Sequence, residues 1–343
     1  MYAIVEKIKM SKLPDFIQNV FSDKAVVGKG NIIAEIIAHS VNIWGTELIT
    51  FRLHYPRLVH QEELRHRVFS NNVSSSRAIP TEFMLDLIGA CPAMPVEWGK
   101  NQAGMQADGE HAELVSVTLP HCAGFLSLNP EDAWKEASKY ATIFSKSFSD
   151  AGYHKQIANR LTEPFQFINQ LVTATDWNNF FGLRLHKDAD PTIKELARVM
   201  YEAKQKSNPE LLRNGEWHTP YVQHDRVGTK LVYHIGGEEI SLKQAKKISI
   251  SAVAQASYRR LDLSLDKAEK IYDRLITSKP VHASPTEMVA TPMSEGEWVE
   301  RSSCRLLMYK AFPNRNFDQM LYERNFKGWL QERINISYET IRG

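Results

Sequence analysis

Arg65-His66-Arg67 sets three basic side chains in a row, and a serine run, Ser74-Ser75-Ser76, closes on Arg77 a few residues later. Arginine carries a planar fork of donors that matches phosphate oxygens in bidentate fashion. Serine hydroxyls and neighbouring backbone N–H groups can serve the same kind of anion. One short stretch could therefore hold two anionic groups, one at each end.

The surrounding residues must display this stretch. Pro56 suits a first helical position, and Arg57 to Phe69 contains no Gly or Pro to interrupt a helix. Glu62–His66 and Glu63–Arg67 stand i,i+4, an orientation that supports a helix by a few tenths of a kcal/mol. The pattern predicts a helix with a cationic last turn, ended by Asn71-Asn72 and followed by a polar loop. A solvated basic helix end would read the same way, its charges facing the helix dipole.

Further elements follow from periodicity. Met1 to Lys9 alternates like a strand, and Leu13 to Phe21 reads as a short helix. Asn31 to His39 is an apolar run, and Thr46 to His54 has the period of a half-buried strand. Residues 78–108, with Pro80, Pro92, Pro95, Gly99 and Gly104, read as loop. Pro130 to Asp150 reads as an amphipathic helix whose stripe, Trp134, Ala137, Tyr140, Ala141, Phe144 and Phe148, is expected in the core. A helical stretch over His154 to Leu161 ends before Pro164. Asn179 and Arg184 interrupt an aromatic run after Thr173. Asp190-Pro191 opens a helix with Ile193, Leu196, Ala197 and Met200 on its apolar face. Beyond the Trp217–Pro220 loop come a strand, Leu231 to Ile235, and two helices. Ser241 caps Leu242 to Arg259, and Ser264 caps Leu265 to Thr277, whose stripe is Ala268, Ile271, Tyr272 and Leu275.

The whole chain has 343 residues, 43% of them hydrophobic and 24% charged, the composition of a soluble globular protein. With Lys+Arg 42 against Asp+Glu 40 the net charge is +2, so no global field steers it to a nucleic acid polymer or a membrane surface. No apolar run is long enough to span a bilayer, and the N-terminus does not read as a signal peptide. Cys91, Cys122 and Cys304 are odd in number and widely spaced, which favours reduced thiols in a cytoplasmic protein over a disulfide framework or a metal site.

The central stretch resembles the motif of flavin-dependent thymidylate synthases: Arg-His-Arg, seven residues, Ser, and Arg two further on. Arg65, His66, Arg67, Ser75 and Arg77 fill every fixed place. Arg160 ahead of Pro164, and Asn179 followed at five by the Leu183-Arg184 pair, look like two further family elements in the same order. Trp98 to Gln106 is similar to a segment of the longer members. The resemblance is densest over 46–205. Ala252 to Tyr258 and His282 to Met288 look like the Ala-Arg-Val-Ser helix and the His-x-Thr-Pro-Phe-Glu-His loop, here placed after the motif, as in the long, phage-like, permuted form. This gives an N-terminal extension over 1–24 and a synthase domain over 25–343, with the permuted elements in 241–293. The chain departs from the pattern at Gln255 and Ala256, at Met288, and at Asp188-Ala189-Asp190, each a place where a polar contact near the flavin is lost.

The resemblance implies an α+β fold, a mixed and largely antiparallel sheet flanked by long helices, in a homo-oligomer, usually a tetramer and in some cases a dimer, with shared active sites. It implies methylation of dUMP to dTMP with FAD, methylenetetrahydrofolate and NADPH, the cofactors carrying the chemistry. Ser74, Ser75, Ser76, Arg77 and Arg160 would hold the nucleotide phosphate, with Ser75 also counted among the catalytic groups. Arg184 would stabilise charge growing on uracil N3 and O4, and Glu62 would hold arginines or touch the nucleotide. Arg65, His66 and Arg67, with Asn179, His282 and Glu287, would bind the flavin. No metal is implied. Read singly, Arg184 could instead pair with Asp188 at i,i+4, Arg160 could be a solvated helix-end charge, and His282 a plain loop histidine. Two rival functions are a related enzyme that hydroxymethylates dUMP or acts on dCMP, and a non-catalytic nucleotide- or flavin-binding relative.

Overall fold

The structure, a computed structural model, describes residues 20–104, 107, 109–118, 124–257, 261–279 and 281–336. The strand and most of the helix expected before Phe21 lie outside them, as do Met105, Gln106, Cys122 and Tyr258.

The fold is α+β. Its main sheet is built from β1 (Val26–Val27), β2 (Ile33–Asn42), β3 (Glu47–Pro56), β4 (Ser70–Val73) and β7 (Phe167–Ala174) in the order β1-β2-β3-β7-β4, all antiparallel. A short β8 (Glu210–Leu212) joins β2 in parallel. The chain leaves β3 through a 3-10 turn, Arg57–Val59, and one helical turn, α1 (His60–Glu63). Between β4 and β7 come α2 (Thr81–Ala90), the β5 (Val115–Thr118) and β6 (Phe125–Leu128) hairpin, α3 (Pro130–Asp150) and α4 (Lys155–Ala158). After β7 come α5 (Asn178–Arg184) and α6 (Pro191–Gln205). The meander β9 (Gln223–Val227), β10 (Lys230–Ile235), β11 (Glu238–Ile240) precedes α7 (Leu242–Ala254) and α8 (Leu265–Thr277). β12 (Ala290–Pro292), α9 (Glu295–Ala311), the β13 (Tyr322–Glu323) and β14 (Phe326–Lys327) pair, and β15 (Trp329–Gln331) complete the order, with β12 paired to β15.

Strand alternation divides the main sheet into two faces. Ile49, Phe51, Leu53 and Tyr55 point to one, where Phe180 and Phe181 of α5 and Ile193, Leu196, Ala197, Val199 and Met200 of α6 cover them. Burying each such side chain is worth about 1.5–3 kcal/mol, so this face anchors the molecule. Leu48, Thr50, Arg52 and His54 point to the other face, with α7 above it: Leu48 packs with Ala245, Ile248 and Trp329. Polar pairing also crosses this second face. The buried His218 bonds Ser40 Oγ through Nδ1 and Thr50 Oγ1 through Nε2, each at 2.8 Å, and Thr50 meets Thr173 at 2.7 Å.

Local signals set several boundaries. Asn129 accepts from Asp132 N at 2.8 Å ahead of Pro130, and Asp190 accepts from Thr192 N at 2.8 Å ahead of Pro191. Ser241 and Gln244 form a capping box on α7. Ser264 precedes α8 but caps no backbone N–H; its hydroxyl bonds the Asp262 carboxylate.

Five expectations are corrected. Residues 57–69 do not form one helix: α1 stops at Glu63, and the chain turns through Leu64 to Phe69 into β4. Ser70–Val73 is held as a strand by antiparallel pairing with Thr173–Gln170, a partner distant in sequence outweighing local helix propensity. Within 78–108, Thr81–Ala90 is helical, because Pro80 precedes a ten-residue run that packs Met84 and Ile88 against Phe165. The stripe of α3 is not core: Phe144 is 61% exposed, and Tyr140 and Phe148 are exposed too, while Trp134 and Ala141 pack inward. α7 ends at Ala254, short of Arg259, in a 3-10 turn over Gln255–Ser257. Pro164 lies inside a 3-10 turn, Asn159–Phe165, rather than beyond a helix.

Candidate functional site

The turn after α1 lies on the anchored face, where α5 delivers Arg184. Its guanidinium donates from Nη1 to Glu62 Oε2 at 2.9 Å, from Nη2 to the Glu62 carbonyl oxygen at 2.9 Å, and from Nε to His66 Nε2 at 3.2 Å. Arginine has donors only, so His66 Nε2 must be the unprotonated ring nitrogen. The imidazole is buried, stacked on Phe69 and edge-on to Phe180. Burial, and next the Arg184 charge, push its pKa down to about 4. His66 is therefore neutral near pH 7. Three of the five guanidinium donors are used, and the Arg184 side chain stays 16% exposed, so two donors remain for an incoming acceptor.

Glu63, one residue on, faces inward. Neither carboxylate oxygen has a hydrogen-bond partner among the described residues, and burial pushes its pKa up to about 7, a contact with Gln170 offsetting part of the rise. Beside it the Tyr55 hydroxyl bonds Gln170 Oε1 and meets His60 Nδ1 at 2.7 Å. Burial, then the Glu63 charge, hold the Tyr55 hydroxyl well above its ordinary pKa.

The serine end of the motif is organised by the 3-10 turn before β7. Asn159 Nδ2 donates to the Ser76 carbonyl at 2.7 Å and the Ile79 carbonyl at 2.9 Å, fixing the loop. Ser74 Oγ accepts from Asn169 N at 3.0 Å, and Ser76 Oγ donates to Glu163 Oε1 at 3.3 Å. Glu163 also faces Arg57 at 3.2 Å and Arg160 at 3.7 Å. Arg77 is exposed, its backbone N–H reaching Ser75 Oγ at 3.3 Å.

Most of the sequence-derived residues gather at three places, with Asn179, His282 and Glu287 outside them. Glu62, His66 and Arg184 meet directly. Ser74, Ser75, Ser76, Arg77 and Arg160 share the β4–α2 loop and the turn against it. Arg65 and Arg67 are exposed beside Gln61 and Leu64 around an open depression, whereas His66 turns away from it. Asn179 is exposed at the start of α5. His282 is exposed, and Glu287 lies in the 3-10 turn Ser284–Met288, where burial raises its pKa against the pull of Arg333 and Arg324. The Arg184 partner is Glu62, with Asp188 instead facing His186 at 3.5 Å. Gln255 is tied to Ser251 and Asp262 rather than open, and Met288 is fully buried against Leu171 and Val253.

Sequence reasoning missed Glu163, Asn159 and the inward turn of Glu63. The first two carry no motif of their own. The last depends on α1 stopping after a single turn. Among the described residues no group of three or more His, Cys, Asp or Glu is placed to hold a metal, and no helix is long and apolar enough to cross a membrane.

No family model matches the chain, and no curated protein matches it. Among solved structures, the chain is similar to a UMP/dUMP methylase, PolB, from Streptomyces cacaoi bound with 5-Br dUMP. The two are 14% identical with a TM-score of 0.36, over 52% of this chain and 91% of that one. The 5-Br UMP complex of the same methylase gives 14% identity and a TM-score of 0.33, over 52% of this chain and 95% of that one.

Proposed function

We propose that this protein is a flavin-dependent nucleotide methylase that converts dUMP to dTMP, with methylenetetrahydrofolate as carbon donor and NADPH as reductant. The observation that carries the reading is the meeting of Arg184 with Glu62 and His66 across 122 and 118 residues of sequence. The resemblance gives these residues to one site, and a chance match of short motifs supplies no reason for them to touch.

In this reading the two spare donors of Arg184 address uracil N3 and O4, where negative charge grows during reaction. A preorganised donor shielded from water stabilises such charge strongly. Glu62 holds the guanidinium at two points, so its plane is set before substrate arrives. Ser75, Ser76, Arg77 and Arg160 bind the phosphate, Asn159 fixing the loop that carries two of the serines. Arg65 and Arg67 fit the phosphates of FAD, which supplies the hydride chemistry when bound. His66 contributes by bracing Arg184 rather than by reaching the flavin. Asn179, His282 and Glu287 do not join this cluster within one chain, and the exposed stripe of α3 supports a homo-oligomer in which neighbouring copies complete the site.

The test is incubation with dUMP, methylenetetrahydrofolate, FAD and NADPH, followed by mass analysis of the nucleotide. A methylated product supports the reading. A hydroxymethylated product, or turnover of dCMP instead, assigns the protein to modified-nucleotide synthesis. Nucleotide binding without any product marks a non-catalytic relative and sinks the enzyme reading.

A further inference from the structure

A cavity of about 730 Å³ opens on the second face of the main sheet, between β3, β7, α2 and the end of α7. The volume falls in the range of sites for small organic ligands. Phe83, Leu87, Phe165 and Phe167 give it apolar and largely aromatic walls. Ser74, Ala252, Gln255 and Ala256 line it as well. The resemblance sets these positions beside the nucleotide phosphate and the flavin, so a ligand held here lies against the proposed methylase site, not apart from it.

Arg52, Tyr221 and Asn169, each half-buried, give the cavity its chemistry. Arg52 spends Nη1 on the Val20 carbonyl oxygen. Its other guanidinium donors are unpaired among the described residues and keep accessible surface. The Tyr221 hydroxyl and Asn169 Nδ2 are likewise unpaired among the described residues and accessible, Oδ1 of Asn169 being taken by His54 Nδ1 at 2.8 Å. The Arg52 guanidinium lies 5.8 Å from the Tyr221 ring centroid. Burial pushes the Tyr221 hydroxyl up to about 12, so it stays protonated and can donate. Among the described residues no Asp or Glu lines the cavity. Glu35, which faces Arg52 across the ladder, accepts from Ser22 N at 3.3 Å and from the Ser22 hydroxyl. A guanidinium fork beside two neutral donors selects an anion with planar acceptor oxygens, and the walls select an apolar, ring-bearing body.

We propose that this cavity binds an organic carboxylate carried on an aromatic body. The carboxylate takes the free donors of Arg52 and the Tyr221 hydroxyl, Asn169 Nδ2 meets a further acceptor on the ligand, and the rings lie against the phenylalanines. Two sources have this chemistry: the folate donor of the proposed methylase, whose tail ends in carboxylates, and a free aromatic acid. The carboxylate assignment does not rest on the methylase reading; the choice of the folate does.

Two probes of one shape test it on the full chain: 1-naphthaleneacetate, and its neutral twin 1-naphthaleneacetamide. By calorimetry the acid binds saturably and at least about tenfold more tightly than the amide, the worth of one charge-assisted hydrogen bond. Arg52→Gln removes that preference, and Leu87→Trp, which fills the cavity, abolishes binding of both. Displacement of the acid by 5-formyltetrahydrofolate supports the carboxylate site and names the folate as its source. Saturable binding of the acid that this folate does not displace supports the same site with a free aromatic acid as its ligand. Absence of saturation up to about 1 mM, equal affinity for acid and amide, or displacement of the acid by FAD overturns the proposal, the last because the cavity then belongs to the flavin. These three comparisons use only the unaltered protein, so they decide even where a variant fails to fold.

Discussion

Arg184 grips both the side chain and the main chain of Glu62: Nη1 donates to the carboxylate and Nη2 to the carbonyl oxygen, each at 2.9 Å. The second contact ties α5 to the backbone of α1, so side-chain exchange at position 62 cannot release it. The guanidinium is thus oriented by the fold itself, which is the condition for an electrostatic catalyst that does not reorganise during reaction.

In the proposed methylase, Arg184→Ala lowers turnover on the order of a hundred- to a thousand-fold with a smaller change in dUMP affinity, because the charge it meets grows only in the transition state. Arg184→Lys recovers part of the loss, lacking the planar fork. Single-turnover flavin oxidation beside thermal melts measures this. Near-normal oxidation in a well-folded Arg184→Ala protein removes the catalytic role and leaves a bracing one.

Arg77→Ala leaves flavin content near normal and weakens dUMP binding roughly ten- to a hundred-fold, the worth of one charge-assisted bond to phosphate. Nucleotide titration reads it directly. Unchanged affinity returns Arg77, which is exposed, to the role of a solvated loop charge.

Acid stability follows from three histidines. His54, His60 and His66 have pKa values of about 4 in the fold, lowered first by burial, against about 6.5 in an unfolded chain. Between those values the unfolded chain binds protons that the folded one refuses. Their contribution is therefore complete above about pH 6.5 and is lost as the pH falls towards 4. Denaturant titrations over that window should show the midpoint dropping steadily, with the slope reduced in His60→Gln.

Glu63 acts with the opposite sign. Its pKa of about 7 lies above the ordinary carboxyl value, so its stabilising effect is full at low pH and is lost as the pH rises through 7. Glu63→Gln keeps the shape without the charge. It should raise the melting temperature at pH 8 relative to the unaltered chain and change it little at pH 5. An equal shift at both pH values would show that Glu63 does not titrate in the fold.

The α3 stripe, where Ile143 and Phe144 are 59% and 61% exposed, should hold copies of the chain together. Ile143→Glu with Phe144→Ser should shift sedimentation to a smaller species while leaving helix content unchanged, since neither side chain is buried within the chain. A single unshifted species in both proteins would place the interface elsewhere.

Much of the fold was legible because its signals are local. The Asn129-Pro130 and Asp190-Pro191 starts are written in adjacent residues, and α3 and α6 begin there. The β4 segment was misread because nothing within Arg57–Val73 announces a partner at Gln170–Thr173. The prolines around α2 masked a clean ten-residue helix. Periodicity identified the amphipathic face of α3 but not what covers it, since that depends on neighbours a sequence window does not contain. At the site, the resemblance named Arg184 and Glu62, while residue types alone left Arg184 open to a pairing with Asp188. Only the packing of α5 on α1 makes them partners, and the inward turn of Glu63 had no signal at all.

His218 lies between two hydroxyls, Ser40 on Nδ1 and Thr50 on Nε2, with Thr173 beyond. A neutral imidazole owns a single ring proton, and burial holds this one neutral. It must therefore donate to one hydroxyl and accept from the other. Choosing the tautomer fixes which way each hydroxyl proton points, and Thr173 inherits its orientation through Thr50. The three strands β2, β3 and β7 thus share a proton wire with two senses, and reversing it requires every link to turn together.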